Sequence, residues 1–163
     1  MAAKLKAFRA RIGVISDTHG LVRPEVARAF DGVDLILHAG DVGTAEVLKE
    51  LSSIARVIAV RGNNDKGPWA EAIPETEVVR IGRVSIYILH NLKETEGDPA
   101  DRNCQVVISG HSHRPSIERR GGVLFLNPGS AGPRRFRLPI TVARLTIAGS
   151  AVNGKIIDLA GKS

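Results

Sequence analysis

The chain contains a single cysteine, and it has no apolar run long enough to cross a bilayer. Cys104 has no partner for an internal disulfide and lacks the paired spacing of a zinc-thiolate site, so we interpret it as a buried or half-buried thiol. A membrane-spanning helix needs roughly 20 consecutive apolar residues. The basic first residues are not followed by the apolar stretch and cleavage site of a secretory signal. These absences predict a cytoplasmic protein without a membrane partner.

Length and composition predict one globular domain. The chain has 163 residues, which leaves no room for a second domain, so we treat 1–163 as one domain with residues 1–10 as an N-terminal extension. A content of 43% hydrophobic and 25% charged residues excludes a disordered chain. The net charge of +6 favours an anionic partner, either a phosphate-bearing substrate or nucleic acid, unless these side chains simply solvate the surface.

Short apolar runs recur along the chain, and each is followed by a polar motif. The predicted strands are residues 12–15, 35–37, 57–60, 84–89 and 106–108. Helical spacing at residues 24–30 and 44–51 alternates with the first three strands. This alternation predicts an α/β layout, in which ligands bind at the carboxyl ends of the strands.

The remaining segments have the pattern of hairpins. Residues 75–80 and 84–89 flank a glycine turn, and so do residues 116–120 and 123–126, and residues 140–147 and 151–159. We expect the antiparallel strands to form a second sheet. The predicted fold is therefore an α/β protein built as a two-sheet β-sandwich flanked by helices, in preference to a single doubly wound sheet.

All five histidines lie inside, or at the head of, short motifs that also contain Asp or Asn. The motifs are Asp17-Thr18-His19, His38-Ala39-Gly40-Asp41, Gly62-Asn63-Asn64-Asp65, Leu89-His90-Asn91 and Gly110-His111-Ser112-His113. Imidazole, carboxylate and amide oxygen are ligands of first-row divalent ions, and a bridging carboxylate holds two such ions side by side. Each motif alone is a weak signal, but together they predict a two-metal hydrolytic site.

The order of these motifs, followed by Asn127-Pro128-Gly129-Ser130, resembles the calcineurin-like metallophosphoesterase superfamily. More narrowly, it resembles the small single-domain phosphodiesterases of bacteria and archaea. The resemblance spans about residues 11 to 147. It implies a four-layer α/β/β/α fold and a metal-dependent enzyme that hydrolyses small phosphodiesters.

By that resemblance, seven side chains hold two divalent ions. Asp17, His19 and His113 hold the first ion, Asn63, His90 and His111 hold the second, and Asp41 bridges the two. A water between the ions would lose a proton near neutral pH and act as the hydroxide nucleophile. Manganese is our first choice of metal, and nickel, iron, zinc and cobalt are alternatives.

Three further motif residues have other expected roles. We expect His38 to orient a ligand or to pack beneath the site, and Asp65 to cap a loop or hydrogen-bond a histidine ring. Asn64 stands where the wider superfamily usually has a histidine that protonates the leaving group. We therefore expect a preference for leaving groups that depart without much help, such as aryl phosphates, or for diesters positioned near another acid, with Asn64 as a candidate substrate contact.

Two charged segments have open roles. Arg134, Arg135 and Arg137 suit phosphate recognition, with Arg134 as the candidate contact, but surface solvation or a subunit contact fits them equally well. The acidic stretch at residues 94–101 either screens the site or forms a solvated loop, and we favour the loop.

Two other function classes compete with the small-molecule phosphodiesterase. A eukaryotic retromer subunit resembles this fold and acts mainly as a protein-binding scaffold, although it departs from the full ligand set that is present here. Nucleases of double-strand-break repair share the motifs but carry additional DNA-binding segments, so nucleic acid is not expected as the main partner. The resemblance also favours a homodimer.

Overall fold

Ten strands form two five-stranded sheets within residues 8–160, the part of the chain that the computed structural model describes. The strands are β1 (Arg9–Ile15), β2 (Leu35–His38), β3 (Arg56–Ala59), β4 (Thr76–Ile81), β5 (Val84–Leu89), β6 (Val106–Ile108), β7 (Ser116–Arg120), β8 (Val123–Asn127), β9 (Thr141–Ala148) and β10 (Ala151–Asp158). The helices are α1 (Glu25–Ala29), α2 (Ala45–Ser52) and α3 (Pro68–Glu71), with 3₁₀ turns at Leu92–Glu94 and Pro99–Arg102. The predicted two-sheet architecture is confirmed.

The predicted N-terminal extension overlaps the first strand. Residues 1–7 of that segment lie outside the described residues. β1 begins at Arg9, which pairs with Ala148 of β9. Residues 9 and 10 therefore belong to the first sheet.

Both sheets are mixed. The first has the order β10-β9-β1-β2-β3, with β1, β2 and β3 parallel and the β9–β10 hairpin antiparallel to β1. The second has the order β4-β5-β6-β8-β7, with three parallel strands at its centre and an antiparallel strand at each edge. The expectation of a separate antiparallel sheet is therefore wrong, because turn residues specify pairing within a hairpin but not which sheet the hairpin joins.

The main core lies between the two sheets. Ile12 and Val14 of β1 belong to the same cluster of fully buried side chains as Ile86 and Ile88 of β5. Successive strand residues point to opposite faces, so Ile15 of β1 points instead toward the helices. Burial of each such side chain contributes roughly 1.5–3 kcal/mol, and this core keeps the ends of both sheets in register.

α1 and α2 cover the outer face of the first sheet. Val26 of α1 and Leu51 of α2 pack with Phe30 in a second buried cluster. Gly13 of β1 lies directly under Phe30, because a Cβ atom there would come within 2.8 Å of the ring. No helix within residues 8–160 is both long and apolar enough to span a membrane.

The outer face of the second sheet has a thinner cover. Tyr87, Cys104 and Phe125 form a third cluster, against which Leu92 and Ala100 of the 3₁₀ turns pack. The outer layer on this side consists of those turns. Cys104 is buried, as the sequence predicted, and burial raises the pKa of its thiol.

The polar motifs follow the carboxyl ends of strands in both sheets. Asp17 and Asp41 come after β1 and β2, and the backbone N–H of Asp17 donates to the carbonyl of Gly40 at 3.0 Å. His90 follows β5, and its carbonyl accepts a hydrogen bond from Gly110 after β6, also at 3.0 Å. These bonds join the loops of each sheet at one end of the sandwich.

Candidate metal centre

Asp17 is the centre of the first group of candidate ligands. Its Oδ1 lies 3.4 Å from Nε2 of His113 and 3.8 Å from Nε2 of His19. These three side chains offer ligand atoms within 4.8 Å of one another. Ligands about 2.1 Å from one ion lie roughly 3–3.5 Å apart, so these atoms are nearly close enough to share an ion. The group has the same members as the first predicted ligand set.

Asp41 connects this group to a second one. Its Oδ2 lies 3.3 Å from Nε2 of His90 and 3.8 Å from Nε2 of His19. His90 Nε2 also lies 3.9 Å from Oδ1 of Asp17, and Asp17, Asp41 and His90 form a second group of metal-compatible ligands. Each of the two carboxylates therefore contacts histidines of both predicted sets, whereas the resemblance implied this position for Asp41 alone.

Asn63 and His111 complete the cluster on its exposed side. Asn63 Oδ1 lies 3.3 Å from Nδ1 of His111, and the His111 ring meets the His90 ring edge to face at 5.2 Å between centroids. Both residues are exposed, whereas His90 is buried. The structure thus brings all seven predicted ligands together at one end of the sandwich.

Unpartnered buried atoms test whether the residues fit a metal. Asp17 Oδ1, His19 Nε2 and His90 Nε2 are buried, and within the described residues none of them has a hydrogen-bond partner. A buried polar atom without a partner costs about 1–3 kcal/mol. All three atoms belong to the two groups above, and their nitrogen and oxygen chemistry is that of divalent-metal ligands. The donor set fits divalent ions.

Hydrogen bonds to the ligand atoms that point away from the cluster hold the ligand side chains in place. Ser16 Oγ donates to Oδ2 of Asp17 at 2.7 Å, and the backbone N–H of His111 donates to the same oxygen at 3.1 Å. His90 Nδ1 lies 2.8 Å from the carbonyl of Ala39, to which it donates in the tautomer that leaves Nε2 free. Such outer bonds orient metal ligands and fix their tautomers.

Both carboxylates remain ionised in spite of their burial. Burial raises the pKa of Asp17, but the nearby His113 and His90 imidazoles, together with the Ser16 hydroxyl, outweigh it and hold the pKa below its usual value. The pKa of Asp41 is also lowered, because the charge of a protonated His90, 3.3 Å away, and two hydrogen bonds from Asn64 outweigh burial. Burial lowers the pKa of His90, but the carboxylates of Asp41 and Asp17 and the carbonyl of Ala39 together raise it more, so the net shift is upward. A proton therefore competes with a metal ion for His90.

The ligand loops have an uncommon backbone conformation. Five candidate ligands have positive φ, namely Asp17 (54°), His19 (47°), Asp41 (54°), His111 (72°) and His113 (62°). Side-chain-bearing residues rarely adopt this left-handed region, and such strain concentrates at functional sites. Five of the seven non-glycine residues with positive φ in the described chain belong to the ligand set, which supports a functional interpretation of these loops.

His38 lies beneath the site and is completely buried. The Thr18 hydroxyl donates to the carbonyl of Val42 at 2.8 Å, so His38 Nε2 donates to that hydroxyl across 2.9 Å. The N–H of Gly40 donates to His38 Nδ1 at 3.1 Å. Burial lowers the pKa of His38 to about 4. Both ring nitrogens are engaged, which agrees with the predicted supporting role rather than metal ligation.

Asp65 joins the loops after β2 and β3. Its carboxylate accepts backbone hydrogen bonds from Val42 at 3.1 Å, Gly43 at 2.9 Å and Gly62 at 2.9 Å. These are the loops that carry Asp41 and Asn63. Of its two predicted roles, the geometry corresponds to the loop cap.

Asn64 is exposed and contacts the candidate ligand Asp41. Its backbone N–H donates to Oδ1 of Asp41 and its side-chain amide donates to Oδ2, both at 2.9 Å. One N–H of this amide donates to Asp41, and the substrate contact expected from the sequence stays a prediction. The geometry thus favours a positioning role.

The arginine segment projects from the edge of the site. Arg134, Arg135 and Arg137 are exposed. Burial lowers the pKa of His19, and the positive charge of Arg135 lowers it further, which places this guanidinium within electrostatic range of the ligands. A contact between Arg134 and phosphate stays a prediction.

The acidic segment after His90 borders a cavity at the site. Glu94 and Glu96 are exposed, and both line a cavity that also includes Asn63 and His90. Leu92 of the same segment packs against the third cluster. The segment is therefore solvated, as predicted, but it also forms a wall beside the candidate ligands.

Three other residues support the site without having had a predicted role. They are Ser16, Asn127, whose amide donates to the carbonyl of Gly110 at 3.0 Å, and Ser130, whose hydroxyl donates to the carbonyl of Asp17 at 3.1 Å. Asn127 and Ser130 belong to the motif Asn127-Pro128-Gly129-Ser130, so the family resemblance was the signal that could have identified them. A serine before Asp17 carries no comparable pattern.

The chain matches a known family model over most of its length. The model of the calcineurin-like phosphoesterase superfamily domain covers residues 10–150. The chain belongs to this superfamily. As a calcineurin-like phosphoesterase it is a phosphoric ester hydrolase, and membership of a metallophosphoesterase family implies divalent metals.

Two curated relatives and one solved structure are similar to this chain. This phosphoesterase is 37% identical to a probable metallophosphoesterase of Methanothermobacter thermautotrophicus over 90% of its own length and 91% of the relative. It is 32% identical to the phosphodiesterase YfcE of Escherichia coli K12, over 71% of this chain and 76% of that one. Its fold is also similar to Vps29 of Entamoeba histolytica complexed with zinc, with a TM-score of 0.71 and 26% identity over 91% of this chain and 99% of Vps29.

Proposed function

We propose that this phosphoesterase hydrolyses small phosphodiesters with two divalent ions held by its seven clustered side chains. One ion would be held by Asp17, His19 and His113, and the other would be held by Asn63, His90 and His111. Asp41 would be a ligand of both ions. The observation that carries the proposal is the position of Asp41 Oδ2, which lies within 4 Å of a histidine nitrogen from each set. When bound, two such ions would neutralise charge on phosphate oxygens and would lower the pKa of a coordinated water to a value near neutrality.

The protein's own residues prepare the site for this chemistry. Ser16 and the His111 N–H fix one oxygen of Asp17, so that the other oxygen faces the histidines. Asn64 orients Asp41 through both of its oxygens, with the backbone N–H donating to Oδ1 and the side-chain amide donating to Oδ2. An amide does not supply a proton at neutral pH, so a leaving group at this position departs unaided. We therefore expect faster hydrolysis of phenolic than of alkyl phosphodiesters.

The direct test is hydrolysis of bis(p-nitrophenyl) phosphate by metal-stripped protein to which manganese is added back. Activity should require the metal and should disappear in Asp41→Asn. The matched control is Asp31→Asn, at an exposed aspartate outside all of the motifs, and it should retain activity. Activity that survives in Asp41→Asn would overturn the proposal.

The same assay ranks the metals. Nitrogen and oxygen ligands accept manganese, nickel, iron, zinc and cobalt, and availability often decides which one is used. We propose manganese, and the Vps29 relative that binds zinc makes zinc the first comparison. Higher activity with zinc than with manganese at equal occupancy would contradict this choice.

A protein-binding scaffold is the second candidate, because the fold is similar to that of vacuolar protein sorting proteins. The complete ligand set favours the enzyme. Folded protein that binds metal but hydrolyses neither phosphodiesters nor DNA would favour the scaffold. Degradation of DNA with steep salt dependence would favour a nuclease. Cytoplasmic location and a homodimer stay predictions.

A further inference from the structure

A cavity of about 340 Å³ opens beside the candidate ligands Asn63 and His90. Its walls include charged side chains from two sides. Arg61 and Glu75 lie on the side of β4, and Glu94, Glu96 and Arg102 lie on the side of the 3₁₀ turns. Small-molecule sites commonly have volumes from about 300 Å³ upward. The cavity is large enough for one ester group of a phosphodiester whose phosphate lies at the ligand cluster.

The cavity wall carries charges of both signs. Arg61 Nη2 forms an ion pair with Glu75 at 3.0 Å, and the Arg102 guanidinium stacks over the Tyr87 ring at 4.6 Å from its centroid. Glu94 and Glu96 form no ion pair within residues 8–160. Their carboxylates therefore remain acceptors toward a group in the cavity.

This charge pattern discriminates among ester groups. An anionic group would face the unpaired carboxylates of Glu94 and Glu96. A cationic group would face the Arg102 guanidinium as well as the ions proposed for the ligand cluster. A neutral group with several hydroxyls avoids both conflicts, because each hydroxyl donates to a carboxylate and accepts from a guanidinium.

We propose that this cavity binds one ester group of the substrate and that this group is neutral and rich in hydroxyls, as in a sugar or glycerol ester. The inference rests on the proposed phosphodiesterase function and adds the substrate class to it. Glu94 and Glu96 are the specificity-determining residues, since they supply the acceptors that a plain alkyl or aryl group leaves unused.

The test compares two esters with the same p-nitrophenolate leaving group. One carries a 2,3-dihydroxypropyl group and the other a propyl group, so that they differ only in two hydroxyls. The dihydroxypropyl ester should have a kcat/KM about tenfold higher, the value of roughly one good hydrogen bond. In the double variant E94Q/E96Q the ratio of the two rates should fall toward one, because an amide accepts more weakly than a carboxylate. Glu46→Gln, an exposed residue of α2, is the matched control and should keep the ratio.

Three outcomes would overturn the inference. The first is equal rates on the two esters in the wild type, and the second is a ratio of these rates that E94Q/E96Q leaves unchanged. The third is a higher rate on p-nitrophenylphosphorylcholine, whose ester group is cationic, than on the dihydroxypropyl ester. Hydrolysis of bis(p-nitrophenyl) phosphate is measured in parallel as the reference for each outcome. Hydrolysis of that diester without a hydroxyl preference overturns the cavity assignment alone, whereas no hydrolysis of any ester overturns the proposed function with it.

Discussion

The two carboxylates of the site are held by the protein before any metal binds. Asp17 receives hydrogen bonds from Ser16 and the His111 N–H on Oδ2, so Oδ1 faces the histidines. Asp41 receives two bonds from Asn64. Ligands that are already oriented lose less conformational entropy when an ion binds. The residues behind the ligands therefore contribute to metal affinity.

Removal of the Asn64 amide tests this contribution. In Asn64→Ala, Asp41 Oδ2 loses its side-chain donor, and we expect the affinity for manganese to fall about 10-fold or more. Isothermal titration of metal-stripped protein measures it. The control is Asn153→Ala, which removes the same group from an exposed position of β10. Equal affinities of wild type and Asn64→Ala would show that Asn64 has no positioning role.

His38 links stability to pH. Its pKa is near 6.5 in the unfolded chain and about 4 in the folded chain, so the unfolded chain binds more protons between these values. The stabilisation from the neutral ring is complete above about pH 7. It is lost as the pH falls toward 4, by at most about 3 kcal/mol.

Urea denaturation at pH 7 and at pH 5 measures this dependence. In His38→Gln the ring is absent, so we expect a smaller decrease in the free energy of unfolding between the two pH values than in the wild type. The other titrating groups remain in both proteins, and the comparison isolates His38. An identical decrease in both proteins would contradict the assignment.

At the scale of elements, the loops after β2 and β3 are packed against each other without space for a side chain. A Cβ atom on Gly62 would overlap the backbone nitrogen and Oδ1 of Asp41. Asp65 joins the same loops through three backbone N–H groups. The separation between Asp41 and Asn63 is therefore determined by this loop packing.

Gly62→Ala should move these loops apart and abolish metal-dependent hydrolysis. The control is Gly121→Ala in the β7–β8 turn, where an added Cβ meets nothing within 4 Å but φ is +55°. That substitution should cost about 1–2 kcal/mol of stability and leave hydrolysis intact. Full activity of Gly62→Ala at wild-type metal affinity would show that the loops accommodate the methyl group.

The individual strands were predictable from sequence, but their arrangement was not. The buried run at residues 106–108 coincides with β6 (Val106–Ile108), because a short apolar run between polar motifs has few alternatives. The β9–β10 hairpin was also recognised from its turn. Its pairing with β1, with Arg9 opposite Ala148, joins distant parts of the chain and depends on the complete core. No local pattern specifies such a pairing.

At the scale of the molecule, the candidate ligands join the two sheets. Asp17, Asp41 and Asn63 follow strands of the first sheet, and His90 and His111 follow strands of the second. Ions held between them would cross-link the sandwich at one end. The candidate ligands could be named from sequence, because their motifs resemble those of the superfamily. The bonds from Ser16 and Ser130 required the folded loops.

Metal binding should therefore stabilise the whole fold. A ligand present at 100 times its dissociation constant stabilises the native state by about 2.7 kcal/mol. We expect manganese to raise the Tm of metal-stripped protein by several degrees, and to raise it less in Asp41→Asn. Differential scanning calorimetry measures both. An equal rise in the two proteins would place the bound metal elsewhere.

The number of ions bound per chain tests the central claim most directly. Metal-stripped protein is dialysed to equilibrium against manganese, and its metal content is measured together with hydrolysis of bis(p-nitrophenyl) phosphate. We predict two ions per chain in the wild type, with activity rising as the second is bound, and fewer than two in Asp41→Asn. Saturation at one ion per chain, with full activity, would contradict a two-metal centre.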